Sequence, residues 1–133
     1  MKKEEVLKYL PAHKLDNFYI DDMMELSDDD FTYLIDGLLL WMKNMNFLVS
    51  KEIALVLAKR PVLMRDIFIK LLDDERVDAI FKYNIIAYVI SQYQENELKN
   101  YEKSFNRLAD KPTKEEKYAE VDILVKKLIN KWN

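Results

Sequence analysis

The sequence predicts an all-α protein built from consecutive antiparallel helical hairpins. Three observations carry this. Of 133 residues only one is Gly and three are Pro, too few for the Gly-bearing turns of a β-sandwich or a doubly wound sheet. Apolar residues recur at three- and four-residue spacing along most of the chain. The stretch "TKEE", Thr113 to Glu116, is a capping box: the hydroxyl and the carboxylate are spaced to satisfy each other's backbone amides at a helix start.

Taken in order, Val6, Leu7 and Leu10 predict a short first helix stopped by Pro11. A loop and a second short helix follow through residue 26, with Phe18, Tyr19, Met23 and Leu26 as inward groups. Ser27 caps the next helix, and Asp28, Asp29 and Asp30 fill its first turn, where the helix dipole favours negative charge. Phe31, Leu34, Ile35, Leu38, Trp41 and Met42 continue it at helical spacing. Gly37 inside it costs about 1 kcal/mol against Ala if exposed; a close helix neighbour or a tolerated small residue both account for it.

The helix from about Leu48 to Lys59 is apolar on every side, so neighbours are expected over most of its circumference. Pro61 opens another in the favoured first-turn position, with Met64, Ile67, Phe68, Leu71 and Leu72 as its apolar positions. Helix is expected again from Arg76 to Tyr93, with Val77, Ile80, Phe81, Tyr88 and Val89 in register. A fifth long helix carries Leu98, Tyr101, Phe105 and Leu108. The last, opened by Thr113, carries Tyr118, Val121, Leu124, Val125, Leu128 and Trp132. About six main helices thus follow the short N-terminal ones. The three hairpins begin near Asp28, Pro61 and Glu95, a spacing of about 33 residues, within the range of helical repeats. No linker divides the chain, so residues 1–133 are expected to form a single domain: short helices over 1–26 and hairpins over 27–133.

Composition excludes several functions. There is no Cys, hence no disulfide, Cys-type zinc site or thiol nucleophile, which fits a cytoplasmic protein. No apolar run reaches the ~18 residues of a membrane span. A net charge of −3 argues against nonspecific nucleic-acid binding, which depends on neutralising phosphates.

Between two of the most apolar runs lies "WMKNMNFLVS", Trp41 to Ser50. It must turn the chain between two packed helices, whose first amides need acceptors. Asn46 is expected to cap the following helix, with Asn44 as a turn residue. Trp41 and Phe47 close the hairpin end with apolar area.

The same stretch resembles the turn motif of a bacterial all-helical, HEAT-like domain family of uncharacterised function. That motif runs Leu-Leu-x-Trp, then Asp-x-Asn-Trp-Pro-Val, and Leu39, Leu40, Trp41, Asn46 and Val49 match it. Pro11, Lys14 and Asp16 resemble its Pro-x-x-Lys-x-Asp opening. Phe81, Lys82 and Tyr83 resemble a Trp-Lys-Tyr element, and "RLADKPTKEE" resembles its closing Pro-Thr segment. The chain departs from the pattern at Asn44, Phe47, Leu48 and Phe81. The resemblance implies a right-handed stack of hairpins, a HEAT-like α-α superhelix; it implies no activity, cofactor or catalytic residue.

No catalytic residue, cofactor or metal site is read from the residues. The lone His13 lacks the partner a general base needs and the spaced second ligand of a metal motif. The sharpest charge feature is the segment from Leu15 to Asp36, with eight carboxylates and no Lys or Arg. Asp28, Asp29 and Asp30 are explained by the helix dipole; Asp21, Asp22 and Asp36 are candidate contacts for a basic partner. Lys99 to Lys131 holds nine Lys or Arg against six acids, so the acidic block has a possible internal counterpart as well, within one molecule or between two. Lys82, Tyr83 and Asn84 are further candidate contacts, with Lys82 snorkelling outward. A buried Asn84 would instead hydrogen-bond a neighbouring helix end. The expected function is a non-catalytic protein-interaction module of a bacterial cytoplasmic protein, regulatory or immunity-like, as monomer or homodimer, without nucleic acid or membrane. The alternative is a small-ligand-binding protein or enzyme with a pocket between hairpins, near Tyr83 and Asn84.

Overall fold

The computed structural model describes residues 1–132, and of Trp132 the backbone only; the inward position expected for the Trp132 side chain lies outside the described residues. Helices account for the regular structure, with no strand among the described residues. The chain falls into two compact units, Met1–Lys59 and Arg60–Asn133. Their boundary lies between Lys59 and Arg60, one residue ahead of Pro61.

The first unit holds α1 (Lys3–Leu7), α2 (Ile20–Met24), α3 (Asp28–Thr32), α4 (Ile35–Trp41) and α5 (Leu48–Ala58). Ser27 caps α3 as expected, its hydroxyl accepting from the Asp30 amide at 3.2 Å. The single helix expected over 28–42 is broken after Thr32. The Thr32 hydroxyl donates to the Asp28 carbonyl at 2.8 Å, and the Tyr33 and Leu34 amides bond three residues back rather than four, which tightens and ends the turn. Gly37 is explained by contact: a Cβ there would stand 2.7 Å from a methyl of Leu10. The close neighbour is thus one side chain just past α1.

α2 and α4 pack on α5, and α1 on α3. Met23, Phe31, Leu34, Leu38, Met42, Val49, Ile53 and Leu57 fill the core between them. Two expectations fail here. Phe18 is 75% exposed instead of inward, its ring edge-on to Tyr19, which in turn stacks on Tyr9. And α5 is not surrounded: Leu48 and Leu55 are open to solvent.

The second unit comprises α6 (Pro61–Asp73), α7 (Ala79–Tyr88), α8 (Glu95–Leu98), α9 (Glu102–Asp110), α10 (Lys114–Tyr118) and α11 (Val121–Trp132). Short 3-10 turns lie at Ile90–Gln92 and Lys99–Tyr101. Pro61 opens α6 as expected. α7 starts at Ala79, later than the sequence suggests, because the Asp78 carboxylate accepts from the Phe81 amide at 2.9 Å and fixes the cap there. The capping box forms as expected at α10. The helix it opens is nevertheless short. Glu120 adopts a φ of 64°, and this left-handed residue separates α10 from α11. That break leaves Tyr118 92% exposed instead of in the core. Ile80 and Tyr88 also face outward, because α7 buries Phe81, Ile85 and Ile86 instead. α9 packs along α11, α7 on α6, α10 and α11, and α6 on α9.

Candidate functional site

In the first unit, the loop before α2 is held onto α5. The Val49 amide donates to the Lys14 carbonyl at 3.2 Å, and the Asn17 side-chain amide donates to Glu52 at 3.2 Å. Asp16 fixes the loop itself, accepting from the Ala12 and Phe18 amides; these two bonds, Ala12 foremost, hold its carboxyl below the usual range. Leu48, Glu52 and Leu55 share one side of α5 by helical spacing. The loop is thus bonded to α5 at Lys14 and Asn17, and Leu15 and Phe18 neighbour these two anchors in sequence. Leu15, Phe18, Leu48 and Leu55 are 62%, 75%, 55% and 55% exposed. α2, which packs on α5, carries Asp21 and Asp22, both exposed. Lys14 and Lys51 border these residues in sequence, so acid predominates there rather than standing alone. Asp36 is exposed on α4. His13 is exposed, with Nδ1 accepting from the Leu15 amide at 3.3 Å.

The turn at Trp41–Phe47 works differently from expectation. Asn46 does not cap α5, which begins with Phe47 at the cap position and no side-chain bond. Instead Asn44 Oδ1 accepts from the Asn46 amide at 2.9 Å, and the Ser50 hydroxyl donates to the Trp41 carbonyl at 2.7 Å. Trp41 and Phe47 meet edge to face with centroids 5.9 Å apart.

In the second unit, Lys82 is the correction of most consequence. Its side chain is fully buried rather than snorkelling outward. The ammonium donates to Glu116 Oε2 at 2.6 Å. Arg107 forks onto the same carboxylate at 2.7 and 2.9 Å and also donates to the Leu72 carbonyl. The Thr113 amide completes the set at 2.8 Å. A buried ammonium needs such a counter-charge. Burial alone raises the Glu116 carboxyl, but bonds from Arg107, Lys82 and Thr113 outweigh it and hold the pKa at about 2. Asn84 is buried in α7 and Tyr83 half-buried, so the structure does not gather Lys82, Tyr83 and Asn84 into a surface site. A second ion pair joins the part-exposed Arg65 of α6 to the buried Glu97 of α8 at 2.7 and 2.8 Å; the bond from Arg65 chiefly lowers the Glu97 carboxyl.

An open cleft of about 960 Å³ lies between residues 75–80 on one side and 113–115 and 117–119 on the other. Val77, Ile80 and Tyr118 are among its apolar lining residues, and both sides carry charges of both signs: Glu75, Arg76 and Asp78 on one, Lys114, Glu115 and Lys117 on the other. Arg76 is held by Asp74 through two bonds of 3.1 Å. The cleft does not include Tyr83 or Asn84, where a pocket was expected.

The profile of DUF5071, a domain of unknown function, matches residues 9–129. The chain belongs to the DUF5071 family. No curated protein matches it. Within this DUF5071 domain the four sequence elements noted above meet in pairs: Lys14 with Val49, and Lys82 with Glu116. Each pairing braces the fold: the first joins the loop before α2 to α5, the second α7 to α10. Among the described residues no group of three or more His, Asp or Glu is placed to hold a metal ion, and no helix is long and apolar enough to cross a membrane.

Sequence reasoning missed the exposure of Phe18, Leu48 and Leu55, the Arg107 fork on Glu116, and the Lys82 bond to it. A signal existed for the latter: a Lys inside the apolar run "AIFKYNIIAYVI" requires a buried acid, and Glu116 was already marked by the capping box.

Proposed function

We propose that the chain is a non-catalytic protein-interaction module of a bacterial cytoplasmic protein, regulatory or immunity-like. Its first unit docks a basic amphipathic helix of a protein partner. The observation that carries this is the exposure of Leu15, Phe18, Leu48 and Leu55 on α5 and the loop bonded to it, together with the exposed carboxylates of Asp21 and Asp22 on α2, which packs on α5. Apolar area supplies affinity on docking, while exposed charge sets the sign of the partner and the rate of encounter. A helix offering apolar groups on one side and Lys or Arg along its edges fits both features. The pairs α6/α7 and α9/α11 support reading the second unit as a HEAT-like right-handed stack.

The test is a titration of the isotopically labelled protein with a synthetic amphipathic Leu/Lys helix, followed by amide chemical shifts. Residues 14–24 and 48–55 are expected to shift. Shifts confined to 75–80 and 113–119 would contradict the proposal. They would favour the second reading, a small-ligand-binding protein or enzyme using the cleft between α7 and α10, whose volume suits a compact ligand.

A further inference from the structure

We propose that a second copy of this chain is one such partner, presenting the exposed side of α11. This rests on the reading of the first unit as a docking face for a basic helix. α11 buries Val121, Asp122, Val125 and Leu128 and exposes Ile123, Lys126, Lys127, Asn130 and Lys131. Its one acid, Asp122, is buried, so the outward side carries three cations and no carboxylate. Ile123, Lys127 and Lys131 follow one another at four-residue spacing, along one stripe of the helix.

The other long helices of that unit lack this character. The exposed residues of α6 include Asp66, Lys70 and Asp73, and those of α9 include Glu102, Lys103 and Asp110. α11 is thus the basic, partly apolar helix that the first unit's face is built to take. Lysine stems can lie along Leu48 and Leu55 while their ammonium groups reach Asp21 and Asp22, with Ile123 placed against the exposed apolar residues.

Donor and acceptor surfaces differ, so the contact is heterologous and each copy offers one of each. Copies therefore add head to tail. Most of the attraction is between exposed charges, so it is screened by salt.

Sedimentation velocity tests this over a range of protein concentrations. At about 0.01 M salt, where the screening length is about 30 Å, the average sedimentation coefficient is expected to rise with concentration; at about 1 M, with a length of about 3 Å, it should return to the monomer value. The double substitutions Asp21→Asn with Asp22→Asn, and Lys126→Gln with Lys127→Gln, should each weaken association at least about tenfold. All four side chains are exposed, so both variants are expected to fold, and thermal melts check this. An equimolar mixture of the two should stop at a one-to-one dimer, because each retains a single working surface. Wild-type protein that stays monomeric at low salt overturns the inference, as does association that either variant leaves unchanged. The titration with the Leu/Lys helix separates the two ideas. If it shifts residues 14–24 while the wild type remains monomeric, the docking reading stands and self-association falls.

Discussion

The Lys82 ammonium donates to the Glu116 carboxylate at 2.6 Å, and neither side chain reaches solvent. Around this pair Arg107 brings in α9 and the Leu72 carbonyl at the end of α6, and Thr113 brings in the start of α10. One carboxylate, with the Arg107 it holds, thus ties four elements together.

Removing that carboxylate's charge leaves a buried ammonium uncompensated. Glu116→Gln keeps the capping-box geometry and is expected to cost about 3–5 kcal/mol, the usual loss when one partner of a buried pair is removed. Lys82→Met should cost clearly less, because Arg107 and the Thr113 amide still hold Glu116. Urea melts of the two variants measure this. Equal losses would show that the Lys82 bond, not the carboxylate, is the centre of the network.

The same group sets an acid limit. The folded Glu116 pKa of about 2 lies below its ordinary value of 4.5, so the unfolded chain binds the proton more readily. Its contribution is complete above about 4.5 and is lost as pH falls towards 2. Stability measured across that window should fall more steeply for the wild type than for Glu116→Gln. Parallel curves would contradict the assignment.

At the turn, Asn44→Ala removes the acceptor for the Asn46 amide and should lower stability by about 0.5–1.5 kcal/mol. Asn46→Ala should leave it within about 0.5 kcal/mol, as for an exposed side chain without a partner role. Denaturant midpoints decide, and a larger loss at Asn46 than at Asn44 would reverse the account.

These positions show what the sequence could reveal. Helix starts fixed by local chemistry were legible: Ser27, Pro61 and Thr113 act within one turn of themselves, and all three do what their residue types predict. The apolar periods of α6 and α9 were equally clear. Breaks were not, because those at Thr32 and Glu120 depend on backbone bonding and one left-handed residue rather than on Gly or Pro. The turn showed the right residue types but not which Asn accepts. The buried network was hidden because Lys82, Arg107 and Glu116 are far apart in sequence. The exposure of Leu48 and Leu55 was hidden because "IALVLA" in α5 reads as wholly enclosed, whereas the loop at 14–18 covers it only in part.

Gly37 provides a packing test. Ala there gains about 1 kcal/mol of helix propensity, but its Cβ would press on Leu10. Gly37→Ala should therefore stabilise a Leu10→Ala background more than the wild type. Thermal melts of the four proteins in this cycle give the coupling; additive effects would remove Leu10 as the reason for the glycine.

The central claim is that the first unit's exposed apolar residues and its carboxylates act together on a basic helix. Stopped-flow binding of the Leu/Lys helix to wild type, to Asp21→Asn with Asp22→Asn, and to Leu48→Ala with Leu55→Ala tests it most directly. The account predicts that losing the carboxylates slows association at low salt, with the difference vanishing at high salt. Losing the leucines should speed dissociation at both. Rates unchanged in both variants would contradict it.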